Sequence, residues 1–191
     1  MGKLFLIVGP SGSGKGTVIA LLKERYSQFF YPVSYTTRDP RPGEEEGQVY
    51  HYISKKEFEE GIENGRFLEW AQVHKDNYYG TSKEQILDAL AKDKVIIREI
   101  DIQGFKSIKA ELPKDHLISI FLQVTDLEDL QKRILGRGEL PQEELDRRME
   151  SARKEISEAH LCDYRVDSRH GEIEECFNQV IDIILKESGA K

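Results

Sequence analysis

A strand that runs straight into a glycine loop and then a helix constrains this chain more than any other feature. Leu4-Phe5-Leu6-Ile7-Val8 is an unbroken apolar run. Its length and composition suit a strand buried on both faces of a parallel sheet. Gly9-Pro10-Ser11-Gly12-Ser13-Gly14-Lys15-Gly16 follows at once and fits the spacing GxxxxGK, with Thr17 next. From Thr17 to Tyr26, the residues Val18, Leu21, Leu22 and Tyr26 recur on one helical face. In such a loop the glycines let backbone N–H groups turn inward around phosphate oxygens. The helix that follows aims its first amides and the positive end of its dipole at the same anion. Lys15 then supplies a point charge to the β- and γ-phosphates of a nucleotide. A tight turn with no ligand is the alternative, and the seat between buried strand and helix argues against it. The hydroxyl that usually follows the lysine and reaches magnesium is replaced by Gly16. Thr17 comes one place later, so Mg²⁺ is expected to be held more by nucleotide oxygens and water, with Thr17 a candidate ligand.

Two more strand patterns, Val95 to Ile100 and Leu117 to Leu122, are each followed by a helical one, Gln103 to Glu111 and Asp126 to Leu135. A last helix from Glu172 to Glu187 carries Ile173, Phe177, Val180, Ile181 and Ile184 on one side. Strands alternating with helices predict an α/β fold, a mostly parallel sheet flanked by helices. Two stretches break the rhythm. Residues 34–82 are rich in Thr, Arg, Tyr and Gly around a short helix opened by the capping box Ser54-x-x-Glu57, and read as a substrate-binding insertion. Residues 136–150 are rich in Gly, Arg and Glu without a core pattern and read as a mobile lid. Glu44-Glu45-Glu46 reads as a solvated loop.

The totals exclude several classes. With 28 basic against 35 acidic residues the net charge is -7, which argues against general nucleic-acid binding. No apolar run approaches the ~20 residues that span a membrane. Leu4 to Val8 is too short for a signal-peptide core, so a cytoplasmic protein is expected. The cysteines, Cys162 and Cys176, lack any CxxC or histidine pairing and read as reduced packing residues. The histidines are scattered, with no metal spacing.

Four further segments carry a resemblance. They are Ser34-Tyr35-Thr36-Thr37-Arg38-Asp39-Pro40-Arg41-Pro42-Gly43-Glu44, Phe67-Leu68-Glu69-Trp70-Ala71, Asn77-Tyr78-Tyr79-Gly80-Thr81, and Glu99-Ile100-Asp101-Ile102-Gln103-Gly104. With the glycine loop, in this order and spacing, the chain closely resembles the guanylate kinase family of P-loop nucleoside-monophosphate kinases. The resemblance implies the reaction ATP + GMP to ADP + GDP, with Mg²⁺ as cofactor and GMP or dGMP as acceptor. It implies a P-loop core at 1–33, 83–126 and 157–191, a GMP-binding domain at 34–82 and a lid at 127–156.

The residues make chemical sense beside it. Arg38 and Arg41, three apart around Pro40, offer guanidinium forks suited to a phosphate. Tyr50 and Tyr79 add hydroxyl donors. By resemblance these four hold the GMP phosphate, whereas an isolated arginine pair is ordinary surface charge. Glu69, between Leu68 and Trp70 on an otherwise apolar strand, needs a partner. Guanine offers its ring N–H and amino group side by side, and a carboxylate accepts both. A salt bridge to a nearby lysine is the alternative. Ser34 and Thr81 match the family's hydroxyls near guanine, and Thr81-x-x-Glu84 also reads as a capping box. Asp101, at a strand's end, contacts by resemblance either the substrate or the magnesium–water shell. Glu99 is similarly placed. Arg133, Arg137 and Arg148 match the lid arginines that neutralise the moving phosphoryl group, with solvated helix charge the alternative. Asp167 stands where the family often has an asparagine near adenine. A kinase for a different phosphorylated acceptor, or a phosphopeptide-binding module of the same fold, remain the competing readings. The intact glycine loop with Lys15 favours the enzyme.

Overall fold

The computed structural model describes residues 1–73, 76–136, 138 and 140–189. Its centre is β1 (Lys3–Val8), which pairs in parallel with β6 (Val95–Ile100) on one side and β7 (Leu117–Gln123) on the other. β8 (Tyr164–Asp167) extends the parallel sheet beyond β7, giving the order β6-β1-β7-β8. Side-chain alternation along β1 sorts the core into two layers. Leu4, Leu6 and Val8 pack with residues of α3 (Lys83–Ala91) and α4 (Ile102–Glu111). Phe5 and Ile7 pack with α1 (Lys15–Arg25) and α7 (Ile173–Ser188). All five side chains are fully buried, so the apolar run has helices on both faces as expected. Each contributes roughly 1.5–3 kcal/mol by leaving water. Cys176 lies in the second layer, and both cysteines are free thiols.

Residues 34–82 form a second sheet, β3-β2-β5-β4, from β2 (Ser34–Thr36), β3 (Tyr50–Tyr52), β4 (Phe67–Val73) and β5 (Asn77–Ser82). Its core is aromatic: Phe58 of α2 (Lys55–Glu63) stacks on Phe67 and Tyr78. The capping box at Ser54 and Glu57 is present in both directions. β4 packs against α4 of the main layer. Gly104 sits closely between two strands there: a Cβ on it would meet the Ile100 side chain of β6 at 2.5 Å and Glu69 Oε2 of β4 at 3.4 Å. The first turn of α4 thus reaches Glu69.

Two sequence expectations change here. Thr81 does not cap the helix after β5. Ser82 does, its hydroxyl accepting from the Gln85 amide at 3.3 Å. The Thr81 hydroxyl is instead given to Glu69 at 2.5 Å. Ser82→Ala should therefore destabilise the protein by about 1 kcal/mol, read as a lower denaturant midpoint at unchanged slope. Thr81→Ala should spare the cap and act on the Glu69 side. The stretch 136–150 also has a core. α5 (Leu127–Leu135) and α6 (Gln142–Ser157) close on each other through Leu130, Ile134, Leu145, Met149 and Ala152. The apolar positions 145, 149 and 152 keep helical spacing, but charged neighbours dilute the pattern.

Candidate functional site

The loop after β1 is shaped by glycines where L side chains are strained: φ is +86° at Gly12 and +90° at Gly14. Gly14 is the N-cap of α1 and brings no side-chain hydrogen bond. The first amides of that helix therefore keep their capacity for an anion. Lys15 folds back over the loop, its Nζ donating to Gly9 O at 2.5 Å and Pro10 O at 2.9 Å. Ser13 is fully buried, and its hydroxyl has no hydrogen-bond partner among the described residues. The loop, Gly9 and Ser11 through Gly16, lines a cavity of about 390 Å³ together with Glu99, Asp101 and Glu155. Pro10 holds the turn through its carbonyl, which accepts from Ser13 N. At Gly16 a Cβ would stand 3.9 Å from Glu99 Oε2, an ordinary contact, so the packing there does not explain the glycine.

Asp101 caps α4, its carboxylate accepting from the Gly104 amide at 2.8 Å. Glu155 enters the cavity from α6, and sequence reading missed it. One of its carboxylate oxygens is buried without a partner among the described residues. Burial pushes its carboxyl above the usual range, and the Lys15 charge opposes that rise. Its spacing of three from the buried Ala152 is the one local sign of an inward position.

A second cavity of about 380 Å³ lies between β6 and the second sheet. Ser34, Tyr50, Tyr79, Arg98 and Glu99 line it. Glu99 belongs to both cavities, so the two meet at the carboxyl end of β6. Tyr50 and Tyr79 stand edge to face at 5.5 Å between centroids, and the Arg38 guanidinium lies 5.4 Å from the Tyr50 ring. Burial raises the Tyr50 hydroxyl above its ordinary pKa, so it remains a donor at neutral pH. Arg41 stands exposed on the loop after β2.

The reading of Glu44 as solvated charge is overturned. Its carboxylate accepts from Arg38 Nη2 at 2.8 Å, the Arg41 amide at 2.8 Å and the Tyr52 hydroxyl at 2.8 Å. The Arg41 amide and the Arg38 guanidinium hold its carboxyl down at about 2. Glu44 thus orients Arg38, whose own fork is what a phosphate would take. The partners come from outside the run of three glutamates, which is why the run alone did not reveal them.

Glu69 lines neither of these two cavities and is almost buried, with 10% of its side chain exposed. Burial raises its carboxyl above the usual range, and the Thr81 hydroxyl and Arg98 oppose that. Its charged neighbour is Arg98 of β6 at 3.8 Å, not a lysine. The strand around it is less apolar in setting than its letters suggest, since Trp70 is 47% exposed.

Among the lid arginines, Arg133 is fixed beside the phosphate loop. It bonds Asp129 at 2.6 Å, Ser168 Oγ at 3.1 Å and Ser168 O at 3.0 Å, and shares a cavity wall with Gly12, Gly14 and Thr17. Arg148 is bonded within its own helix to Glu144 at 2.9 Å. Arg137 lies outside the described residues. Asp167 is exposed and pairs weakly with Arg169 at 3.4 Å.

The family model described as guanylate kinase matches residues 1–187. A guanylate kinase of Trichormus variabilis is 42% identical over 165 residues, covering 86% of this chain and 81% of the relative. One from Clostridium tetani is 44% identical over 175 residues, covering 91% and 82%. The crystal structure of guanylate kinase from Anaplasma phagocytophilum superposes with a TM-score of 0.73 at 26% identity, covering 98% of this chain and 86% of that one.

Proposed function

The chain belongs to the guanylate kinase family, whose members phosphorylate GMP at the expense of ATP, and we propose that it does so with the following division of labour. The loop from Gly9 to Thr17 takes the ATP phosphates. GMP lies in the cavity between β6 and the second sheet. Arg38, Arg41, Tyr50 and Tyr79 hold its phosphate, and Glu69, Thr81 and Ser34 read its base. Residues 34–82 act as the acceptor domain and 127–156 as the lid. The observation that supports this reading is that Glu99 lines both cavities, so that phosphates bound in each would meet end to end there.

An anionic oxygen of GMP then attacks the γ-phosphorus in line, and the bond to the ADP oxygen breaks. No general base is needed, because the nucleophile already carries charge. Positioning and charge stabilisation do the catalysis, through Lys15 and the arginines 133, 137 and 148. The oxygen donors that face the phosphate loop, Glu99, Asp101 and Glu155, suit hydrated magnesium rather than a closed protein cage. Among the described residues no group of His, Cys, Asp and Glu forms a direct metal site. Mg²⁺ would be held by the nucleotide and by water around Glu99, with Thr17 or Asp101 the candidate side-chain ligands. When bound it neutralises charge on the bridging phosphate oxygens. No helix among the described residues is long and apolar enough to cross a membrane. The setting we propose is the cytoplasm, with small-molecule partners only.

A coupled assay for ADP release tests the assignment, with ATP·Mg²⁺ and GMP, dGMP, AMP, CMP or UMP. Turnover should be confined to the two guanine nucleotides, with AMP poorer by ~10⁴ in kcat/KM. Preference for another acceptor would refute the guanine assignment. Nucleotide binding without turnover would favour a binding module.

A further inference from the structure

We propose that Arg98 is a positioning residue for base recognition, holding the Glu69 carboxylate in the charged form that accepts both N–H groups of guanine. The inference rests on the reading of Glu69 as the base reader. β6 is apolar from Val95 to Ile97 and again at Ile100, and Arg98 interrupts it. Strand alternation puts Arg98 on the face of Ile96 and Ile100, toward α4 and β4. Its side chain is only 20% exposed. A guanidinium in such a place is costly unless an anion or an acceptor repays it. Hydrogen bonds do not explain its position, since Arg98 Nε is buried with no partner among the described residues. The contact on offer is charge: Nη2 stands 3.8 Å from Glu69 Oε1.

The surroundings of Glu69 show why that charge matters. From β5 the Thr81 hydroxyl donates to Oε1 at 2.5 Å. From the start of α4 come the Gly104 backbone, beside Oε2, and the Asp101 carboxylate, which repels Glu69. From β6 comes Arg98. Among these described neighbours Arg98 is the one cation. Burial and Asp101 favour the neutral acid, whereas Thr81 and Arg98 favour the anion. Guanine presents two donors, and a carboxylate meets them with two acceptor oxygens. A protonated carboxyl meets one of them with its own O–H instead. Without Arg98, Glu69 takes up its proton at a higher pH, so base binding weakens as pH falls.

The test compares wild type with Arg98→Met and Arg98→Lys. GMP affinity is followed through fluorescence of Trp70, the single tryptophan, which neighbours Glu69 on β4. KM for GMP and for ATP are measured alongside, from about pH 6 to about pH 9. The phosphate of GMP itself loses a proton near about pH 6, but equally for each variant, so ratios to wild type remove it. The Met variant should bind GMP several-fold more weakly at the acid end and approach wild type at the alkaline end, because without Arg98 the Glu69 carboxyl holds its proton to higher pH. The Lys variant should track wild type, and KM for ATP should not share the pH trend. If Met disturbs folding, seen as a lowered melting temperature, Arg98→Gln takes its place with the same expectation. A ratio that stays level with pH, whatever its size, means Arg98 serves packing alone and overturns the proposal. The same measurements on Glu69→Gln separate the two layers of inference. Unimpaired GMP binding there removes Glu69 as base reader. Impaired binding there together with a level Arg98 ratio removes only the role of Arg98.

Discussion

Lys15→Met should lower kcat by about 10²–10³-fold while the protein remains folded. Lys15 is the first residue of α1 and sits on a loop whose cap, Gly14, contributes no side chain to the helix amides. Backbone N–H groups therefore supply the ground-state cradle, and they survive the substitution. What disappears is the one full charge that the loop itself carries. In phosphoryl transfer, negative charge grows on the bridging and leaving oxygens, so a fixed cation there favours the transition state over bound ATP. The loss should accordingly fall on kcat more than on KM for ATP. Methionine also leaves the Gly9 and Pro10 carbonyls without the donor they have from Lys15 Nζ. That calls for a melting curve beside the steady-state assay. A second consequence follows at Glu155. The Lys15 charge opposes the burial that raises the Glu155 carboxyl, so removing it drives Glu155 toward the neutral acid. Arginine should not rescue, because a planar fork does not replace a compact ammonium in a tight glycine loop. Retention of kcat within a few-fold would mean that the lysine positions the loop and does not stabilise charge.

The parts of the molecule set by local rules were readable in the sequence. The run from Leu4 to Val8, the glycine loop and α1 follow from period, turn chemistry and burial alone. So does the start of α2 at Ser54. Elsewhere the sequence offered two local answers and tertiary contact chose between them. Thr81-x-x-Glu84 and Ser82-x-x-Gln85 both have the form of a capping box, in frames one residue apart. Of the two hydroxyls Ser82 caps, accepting from the Gln85 amide, while that of Thr81 is given to the nearly buried Glu69 on β4. The helices α5 and α6 were obscured differently. Leu145, Met149 and Ala152 are few and surrounded by charge, so their common face shows only against α5. Glu44, Arg98 and Glu155 share a further reason for being missed. Glu44 is explained by partners on the flanking loop and on β3, Arg98 by an anion on another strand, and Glu155 by a cavity wall built by other elements. A buried charge leaves no periodic trace, and Arg98 was marked only by interrupting an apolar strand.

Glu69→Gln should cut kcat/KM for GMP by about 10²–10⁴-fold and move the preference toward AMP. The substitution keeps the shape of the side chain and its place on β4. Thr81 can still donate to the remaining oxygen, so the local fold is preserved. The change lies in the hydrogen-bond pattern presented to the base. Glutamate offers two acceptors to the two donors on guanine, whereas glutamine sets its own N–H group against one of them. A buried donor facing a donor costs about 1–3 kcal/mol for each group left unpaired, and here both partners lose. Adenine in the same pose offers a ring acceptor and, beside it, only a C–H, so the amide N–H of glutamine meets the acceptor and no donor faces a donor. The variant therefore loses both guanine contacts while gaining one toward adenine, and the ratio of the two kcat/KM values moves further than either alone. Arg98 adds a cost of its own, since it loses the anion 3.8 Å away and keeps its partly buried site. That cost lowers the melting temperature but does not distinguish between bases, so the ratio is the quantity to read. If the GMP to AMP ratio stays at its wild-type value while stability falls, Glu69 is a structural partner of Arg98, and other residues read the base.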